Sequence, residues 1–145
     1  MTATEGQPKP IDKIKIDQLE VEIHATRKDL GVAAARTMAA KMVEVLGQKE
    51  RVRVVFASAP SQNEFLGALR EDAGIPWDRI SIFHMDEYLG VDENTPGGFR
   101  RYMREHLIDA VKPNKFYGCP GDADDLDVAM AEYAAAIQDD VLSVL

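Results

Sequence analysis

The segment ISIFHMDEYLG, residues 80–90, passes from an apolar run into two carboxylates, a tyrosine and a glycine. The run from Ile80 to Met85 has the length and composition of a buried strand. In an open parallel sheet, ligands bind beyond the carboxyl ends of the strands. A strand that ends in Asp86 and Glu87 therefore predicts acid/base chemistry at that edge, provided that burial raises the pKa of a carboxyl group toward neutrality. A solvated turn that caps a helix explains the same residues equally well.

Strand-like and helix-like patterns alternate on both sides of this segment. Alternating or β-branched apolar residues predict strands, and apolar residues at three- and four-residue steps predict helices. The predicted strands are 13–24, 52–57, 79–85, 115–119 and a last one that begins at 141. The predicted helices are 30–45, 61–69, 95–111 and 126–137. This alternation predicts an α/β fold with a mainly parallel sheet of about five strands, flanked by helices and joined by right-handed crossovers.

Composition excludes several classes of protein. The 145 residues carry a net charge of −8 without a basic tract, which argues against nucleic-acid binding. The length fits one domain, 11–145, after a loose polar tail, 1–10. Cys119 is the only cysteine, so no intrachain disulfide is possible and a cytoplasmic location is predicted. No stretch has the layout of a signal peptide or the roughly 20 apolar residues of a membrane span, so no membrane partner is expected.

A second polar turn, SAPS at residues 58–61, joins a predicted strand to a helix. Free N–H groups at a helix N-terminus favour anions, and the hydroxyls of Ser58 and Ser61 add donors. Ser61 with Glu64 three residues later is a capping-box motif, which predicts where the helix begins. Pro60 removes one backbone donor and Glu64 adds a competing charge. The turn by itself therefore favours an ordinary capped helix over a phosphate site.

The remaining polar side chains predict structural roles. Arg100, Arg101 and Arg104 lie off the apolar stripe of their helix and predict a solvated face. His84 is expected to be a hydrogen-bonded strand residue, and Cys119 a buried thiol. No cluster has metal-ligand spacing and no glycine-rich dinucleotide fingerprint occurs, so the sequence predicts no metal and no organic cofactor.

Several segments occur in an order that is typical of one enzyme family. They are SAPSQ (58–62), FLGAL (65–69), IPWDRI (75–80), FHMDEYLG (83–90) and GGFRRYM (97–103). Over about residues 19–145 the chain resembles the glucosamine-6-phosphate deaminase/isomerase family, whose fold is shared by 6-phosphogluconolactonases and sugar-phosphate-sensing regulator domains. The resemblance implies a Rossmann-like α/β fold and conversion of a phosphorylated amino sugar to fructose 6-phosphate with loss of ammonia.

The resemblance also implies roles for individual residues. Asp86 matches the family's proton-abstracting aspartate, which moves a proton from C2 to C1 of ring-opened glucosamine 6-phosphate. The turn at 58–62 matches a Thr-Gly-Gly-Thr-Pro phosphate turn, in which Ala59 and Pro60 replace the two glycines that allow close backbone approach. The substrate-binding residues expected on this basis are Ser58, Ala59, Ser61, Gln62, Glu87 and Tyr88.

The family's second motif, a glycine-rich turn with Asp-or-Asn-Gly-His and an acidic residue, does not occur in the 145 residues. It follows the strand that begins here at Val141. We therefore expect the N-terminal half of a deaminase, truncated after about five strands, with little or no activity alone. Homo-oligomers, or association through an exposed sheet edge, are expected as well. A non-catalytic module that binds sugar phosphates, and a lactonase of the same fold, remain alternatives.

Overall fold

The computed structural model describes residues 8–138 and 142–144, so most of the predicted tail at 1–10 and part of the last predicted strand lie outside the described residues. The strands are β1 (Asp12–Ile16), β2 (Leu19–Ile23), β3 (Val52–Phe56), β4 (Ile80–His84), β5 (Lys115–Tyr117) and β6 (Leu142–Val144). The helices are α1 (Arg27–Leu46), α2 (Asn63–Arg70), α3 (Phe99–Met103), α4 (Asp109–Val111) and α5 (Leu126–Gln138). A π-helical turn, Arg104–Ile108, joins α3 to α4.

Four of these strands form one sheet in the order β5-β4-β3-β6, and each neighbouring pair is parallel. Every residue of β4 is buried, as expected for a parallel strand that is covered on both faces. One face packs against α1, α2 and the π-helical turn, and the other face packs against α5. The predicted α/β class with a parallel sheet is therefore confirmed, with four rather than five strands in the described sheet.

The segment 13–24 forms an antiparallel hairpin, so the prediction of a single strand is wrong. The hairpin is a separate two-stranded sheet, with Asp17 in the left-handed region at φ 56° between β1 and β2. Aspartate tolerates this conformation better than most residues. The sequence does contain the signal, because apolar residues occupy even positions up to Ile16 and odd positions from Leu19 onward. Ile16 is paired with Leu19, so both side chains share one face.

Two helices begin later than the sequence predicts. After a single 3₁₀ turn at Pro60–Gln62, α2 begins at Asn63, and no side chain caps it. The Ser61 capping box does not form, because the Glu64 carboxylate binds the Arg27 guanidinium at 2.7 and 2.8 Å. The helix predicted to begin at residue 95 begins at Phe99, and the Thr95 hydroxyl instead donates to Asp92 at 3.0 Å.

Candidate active site

The turn after β3 and the loop after β4 leave the same edge of the parallel sheet. Phe56 and His84 are paired as the last residues of their strands. The pairing continues one residue further, because the Met85 N–H donates to the Phe56 carbonyl at 3.0 Å. Ser58 and Asp86 each lie two positions beyond the last pair. The structure therefore brings the two predicted site segments, 58–62 and 86–88, to neighbouring positions at the carboxyl edge.

Asp86 is exposed to solvent. The described residues do not supply the burial that the general-base hypothesis invokes for this carboxylate. Its position is nevertheless constrained, because the residues on either side of it are anchored to other parts of the fold.

Glu87 has a fully buried side chain, and its two oxygens bind backbone N–H groups. One oxygen accepts from Phe99 at 2.9 Å and from Tyr88 at 3.0 Å, and the other accepts from Arg100 at 2.8 Å. Burial alone would raise the pKa of the Glu87 carboxyl, but these hydrogen bonds outweigh it and hold the pKa below its usual value. The carboxylate expected to bind substrate is thus used to cap the N-terminus of α3.

Arg100 is not part of a solvated face, so that prediction is wrong for this residue. Its side chain is only 12% exposed, and its Nε lies 3.6 Å from a Glu87 oxygen. Its Nη2 donates to Asp122 at 2.7 Å and also to the Val91 carbonyl. The partners lie up to 22 positions away along the chain, so no local pattern could have indicated this role. Arg101 and Arg104 are more exposed, as predicted, and pair with surface glutamates.

The segment 118–122 packs tightly against this loop. The Gly90 N–H, at a residue with φ 75°, donates to the Gly121 carbonyl at 2.7 Å. A Cβ atom on Gly121 would lie 2.3 Å from the Tyr88 carbonyl oxygen, so only glycine fits without movement. Tyr88 itself is 58% exposed, and its ring centroid lies 4.8 Å from that of Phe99. The Tyr88 ring is therefore available at the surface beside Asp86.

The turn at 58–62 is held by side chains from distant elements. The Tyr102 hydroxyl donates to the Ala59 carbonyl at 2.7 Å, and Arg27 donates to the Pro60 carbonyl at 3.2 Å. Ser58 is buried, and its Oγ has no hydrogen-bond partner among the described residues. Ser61 is exposed and Gln62 is half-buried. The Glu64 charge, which the sequence places against a bound anion, is compensated by Arg27, whose hydrogen bonds lower the Glu64 pKa to about 2.

Hydrogen bonds of a buried histidine hold the end of β4 in place. His84 Nε2 accepts from the Cys119 N–H at 2.7 Å, and the Tyr133 hydroxyl donates to the His84 carbonyl at 2.7 Å. Burial lowers the pKa of the His84 imidazole and raises the pKa of the Cys119 thiol. Both predictions, a hydrogen-bonded strand histidine and a buried thiol, are confirmed.

A groove of about 630 Å³ lies between the hairpin, α1 and α2. Ser61 and Gln62 form part of its wall, but Asp86 does not. Two of its charged groups, Arg27 and Glu64, are paired with each other. The groove therefore does not include the Asp86 carboxylate, and we do not assign the active site to it.

The family model for glucosamine-6-phosphate isomerases/6-phosphogluconolactonase matches residues 25–143. The chain belongs to this family. A glucosamine-6-phosphate deaminase from Shewanella loihica is 35% identical over 75 residues, which are 50% of this chain and 28% of that protein. Another from an Arthrobacter species is 27% identical over 125 residues, which are 83% of this chain and 46% of that protein.

Solved structures show the same fold at lower identity. A monomeric glucosamine-6-phosphate deaminase superimposes with a TM-score of 0.70 at 20% identity, covering 79% of this chain and 48% of that one. The 6-phosphogluconolactonase from Plasmodium vivax has a TM-score of 0.73 at 12% identity, covering 88% of this chain and 46% of that one. The chain thus spans less than half of these relatives. No helix within the described residues is long and apolar enough to cross a membrane.

Proposed function

We propose that this chain supplies the proton-transfer carboxylate and the phosphate turn of a glucosamine-6-phosphate deaminase. The observation that carries the proposal is the parallel pairing of β3 with β4, which sets 58–62 beside 86–88 at one sheet edge. Family membership indicates the reaction class, and the curated relatives named as deaminases favour the amino sugar over a lactone. The helices on both faces of the sheet support the Rossmann-like assignment.

Asp86 acts as the base in this proposal. It removes the proton from C2 of the open-chain sugar and returns it to C1, by way of an enol that carries the amino group. The C1 aldehyde thereby becomes an alcohol and the C2 amine becomes an imine, as one proton leaves the nitrogen and one joins O1. Water then adds to C2, the C–N bond breaks, and ammonia and fructose 6-phosphate are released. One carboxylate can serve both positions because C1 and C2 are adjacent.

The phosphate is bound by the turn at 58–62. The Ser58 hydroxyl is buried and has no described partner, so it gains a hydrogen bond if the turn moves to admit an anion. Ser61 adds an exposed hydroxyl, and Ala59 and Gln62 complete the turn. Tyr88 provides an exposed aromatic ring for the sugar. Glu87 contributes indirectly, since backbone groups already use both of its oxygens.

The test is an assay of ammonia and fructose 6-phosphate formation from glucosamine 6-phosphate. We expect little turnover by the 145 residues alone, because Asp86 is exposed and ring opening needs further groups. Residual turnover that disappears in Asp86→Asn supports the residue assignment. Turnover that persists in Asp86→Asn contradicts it.

The exposure of Asp86 favours a second candidate function, a non-catalytic sugar-phosphate-binding module. Such a module binds glucosamine 6-phosphate at the turn and releases no ammonia. Calorimetry combined with the ammonia assay separates the two, because saturable binding without turnover favours the module. Hydrolysis of 6-phosphogluconolactone by the chain would instead indicate a lactonase.

We also propose a cytoplasmic homo-oligomer. The hairpin presents one apolar face to solvent, on which Ile16 is 59% and Leu19 is 62% exposed. Exposed apolar surface of this kind favours self-association. Light scattering tests the proposal, and a monomer that persists at high protein concentration contradicts it.

A further inference from the structure

We propose that Glu87 and Arg100 are positioning residues that hold the backbone at Asp86 in its working orientation. The inference rests on the proposed function of Asp86 as the base. In this proposal Glu87 positions Asp86 and does not bind the substrate directly. The structural basis is a set of contacts entirely within the described residues.

Asp86 lies between two fixed points. On one side, the Met85 N–H donates to the Phe56 carbonyl at 3.0 Å, which continues the sheet pairing. On the other side, the buried Glu87 side chain is bonded to the N-terminus of α3. Since Asp86 is exposed, these anchors on its neighbours fix the backbone from which its side chain projects.

The Glu87 site requires a carboxylate rather than a neutral amide. Three backbone N–H groups and one guanidinium surround its two oxygens, and every one of these groups is a donor. An amide has only one oxygen, so its NH₂ group would face a donor. Glu87→Gln therefore preserves the size of the side chain but loses at least one hydrogen bond.

Arg100 holds the other end of the loop, at residues 90–91. Its guanidinium binds the Val91 carbonyl and Asp122, while Gly90 and Gly121 are joined through their backbones. A Cβ on Gly118 would lie 2.6 Å from the Arg100 Cδ, so the arginine lies directly against the segment 118–122. The loop 86–91 is thus held between α3 and this segment.

The turn at 58–62 is linked to these contacts only indirectly. Of the two side chains that hold it, Arg27 has no bond to Glu87, and Tyr102 lies in α3, whose first N–H groups Glu87 binds. Disturbing Glu87 should therefore change proton transfer more than it changes how the phosphate is bound. A residue that itself binds the sugar would change both.

Glu93→Gln provides a matched control. Glu93 lies in the loop between β4 and α3 and pairs with Arg104 at the surface, where the two side chains are 52% and 44% exposed. The same substitution is thus made at a buried and at an exposed carboxylate in one loop.

The experiment compares the ¹⁵N-labelled chain with its Glu87→Gln and Glu93→Gln variants. We expect Glu87→Gln to lower the backbone order parameters of residues 86–90 and to speed amide exchange at Phe99 and Arg100, with the sheet core unchanged. Glu93→Gln should leave these values as they are. Equal effects of the two variants, or no effect of Glu87→Gln, would overturn the proposal.

A comparison of kcat with KM adds a measurement that a purely structural role of Glu87 would not change. Where turnover is measurable, Glu87→Gln should lower kcat by roughly 10- to 100-fold, as small misplacements of a catalytic group do, with KM within about twofold. A raised KM at unchanged kcat contradicts positioning and indicates direct binding. If the chain turns over no substrate, the order parameters still decide the positioning question, so failure of the proposed function is distinguishable.

Asp122→Ala serves as the second variant if Glu87→Gln does not fold. It removes the Asp122 oxygen that accepts from Arg100 Nη2 and leaves the buried Glu87 carboxylate in place. We expect a smaller loss of order confined to 86–91. Unchanged order in Asp122→Ala would overturn the role of Arg100.

Discussion

The turn after β3 and the loop after β4 leave one sheet edge side by side, but they are fixed by different kinds of contact. The turn at 58–62 is held by hydroxyl and guanidinium groups bonded to its carbonyls. The loop at 86–91 is held by a buried carboxylate that binds a helix N-terminus and an arginine. The difference predicts that the loss of one contact costs more stability in the loop, where the carboxylate is buried, than in the turn.

The largest expected effect comes from removing the buried carboxylate. Glu87→Ala leaves three backbone N–H groups without their acceptor and removes the carboxylate that lies 3.6 Å from Arg100 Nε. Breaking a buried ion pair in this way costs about 3–5 kcal/mol in the free energy of unfolding. Urea denaturation measures the loss. Glu93→Ala, which removes a surface ion pair, should leave the urea midpoint nearly unchanged. Comparable losses of stability in the two variants would contradict the difference between the buried and the exposed carboxylate.

A smaller effect is expected where the loop meets the segment 118–122. Gly121→Ala places a Cβ 2.3 Å from the Tyr88 carbonyl oxygen, so the backbone must move. We expect a loss of about 1–3 kcal/mol, as for other overpacked sites. Gly67→Ala is the matched control, because nothing lies within 4 Å of its new methyl group in α2. That change should stabilise by about 0.5–1 kcal/mol, and thermal melts compare the two directly.

Removal of the hydroxyl that holds the turn at 58–62 should lower the stability less. Tyr102→Phe removes the hydrogen bond to the Ala59 carbonyl and is expected to cost about 1 kcal/mol. Amide exchange in 58–62 should become faster while 86–91 stays protected. Faster exchange in both segments would show that the two are coupled rather than independently held.

The smallest expected effect is a change of stability with pH. Because the folded pKa of Glu87 is lowered, its contribution to stability is complete above the ordinary glutamate pKa of about 4.3 and is lost as pH falls through the lower folded value. The stability difference between the wild type and Glu87→Gln should therefore narrow below about pH 4. Glu64 titrates in both proteins, so its contribution cancels from the difference between their stabilities. A difference that stays constant down to the acid transition would contradict this.

Features encoded by neighbouring residues could be predicted from the sequence. The buried strand that ends before Asp86, the parallel sheet and the helices α1 and α5 all follow from local periodicity. The turn between β1 and β2 was also encoded locally, in the change from even to odd apolar positions after Ile16.

Features that depend on distant partners could not be predicted. The Ser61 capping box is a sound local motif, but Arg27, 37 positions before Glu64, binds that carboxylate instead. Likewise, the side chain expected to face substrate, Glu87, caps a helix 12 positions later in the chain. Competition between a local and a non-local partner is decided by the tertiary structure.

Titration of the ¹⁵N-labelled chain with glucosamine 6-phosphate tests the central claim most directly. We expect the largest amide shifts in residues 58–62 and 86–88 together, and inorganic phosphate should move only 58–62. Shifts confined to residues of α1 that line the groove, or no shift at millimolar ligand, would contradict the placement of the sugar-phosphate site at this sheet edge.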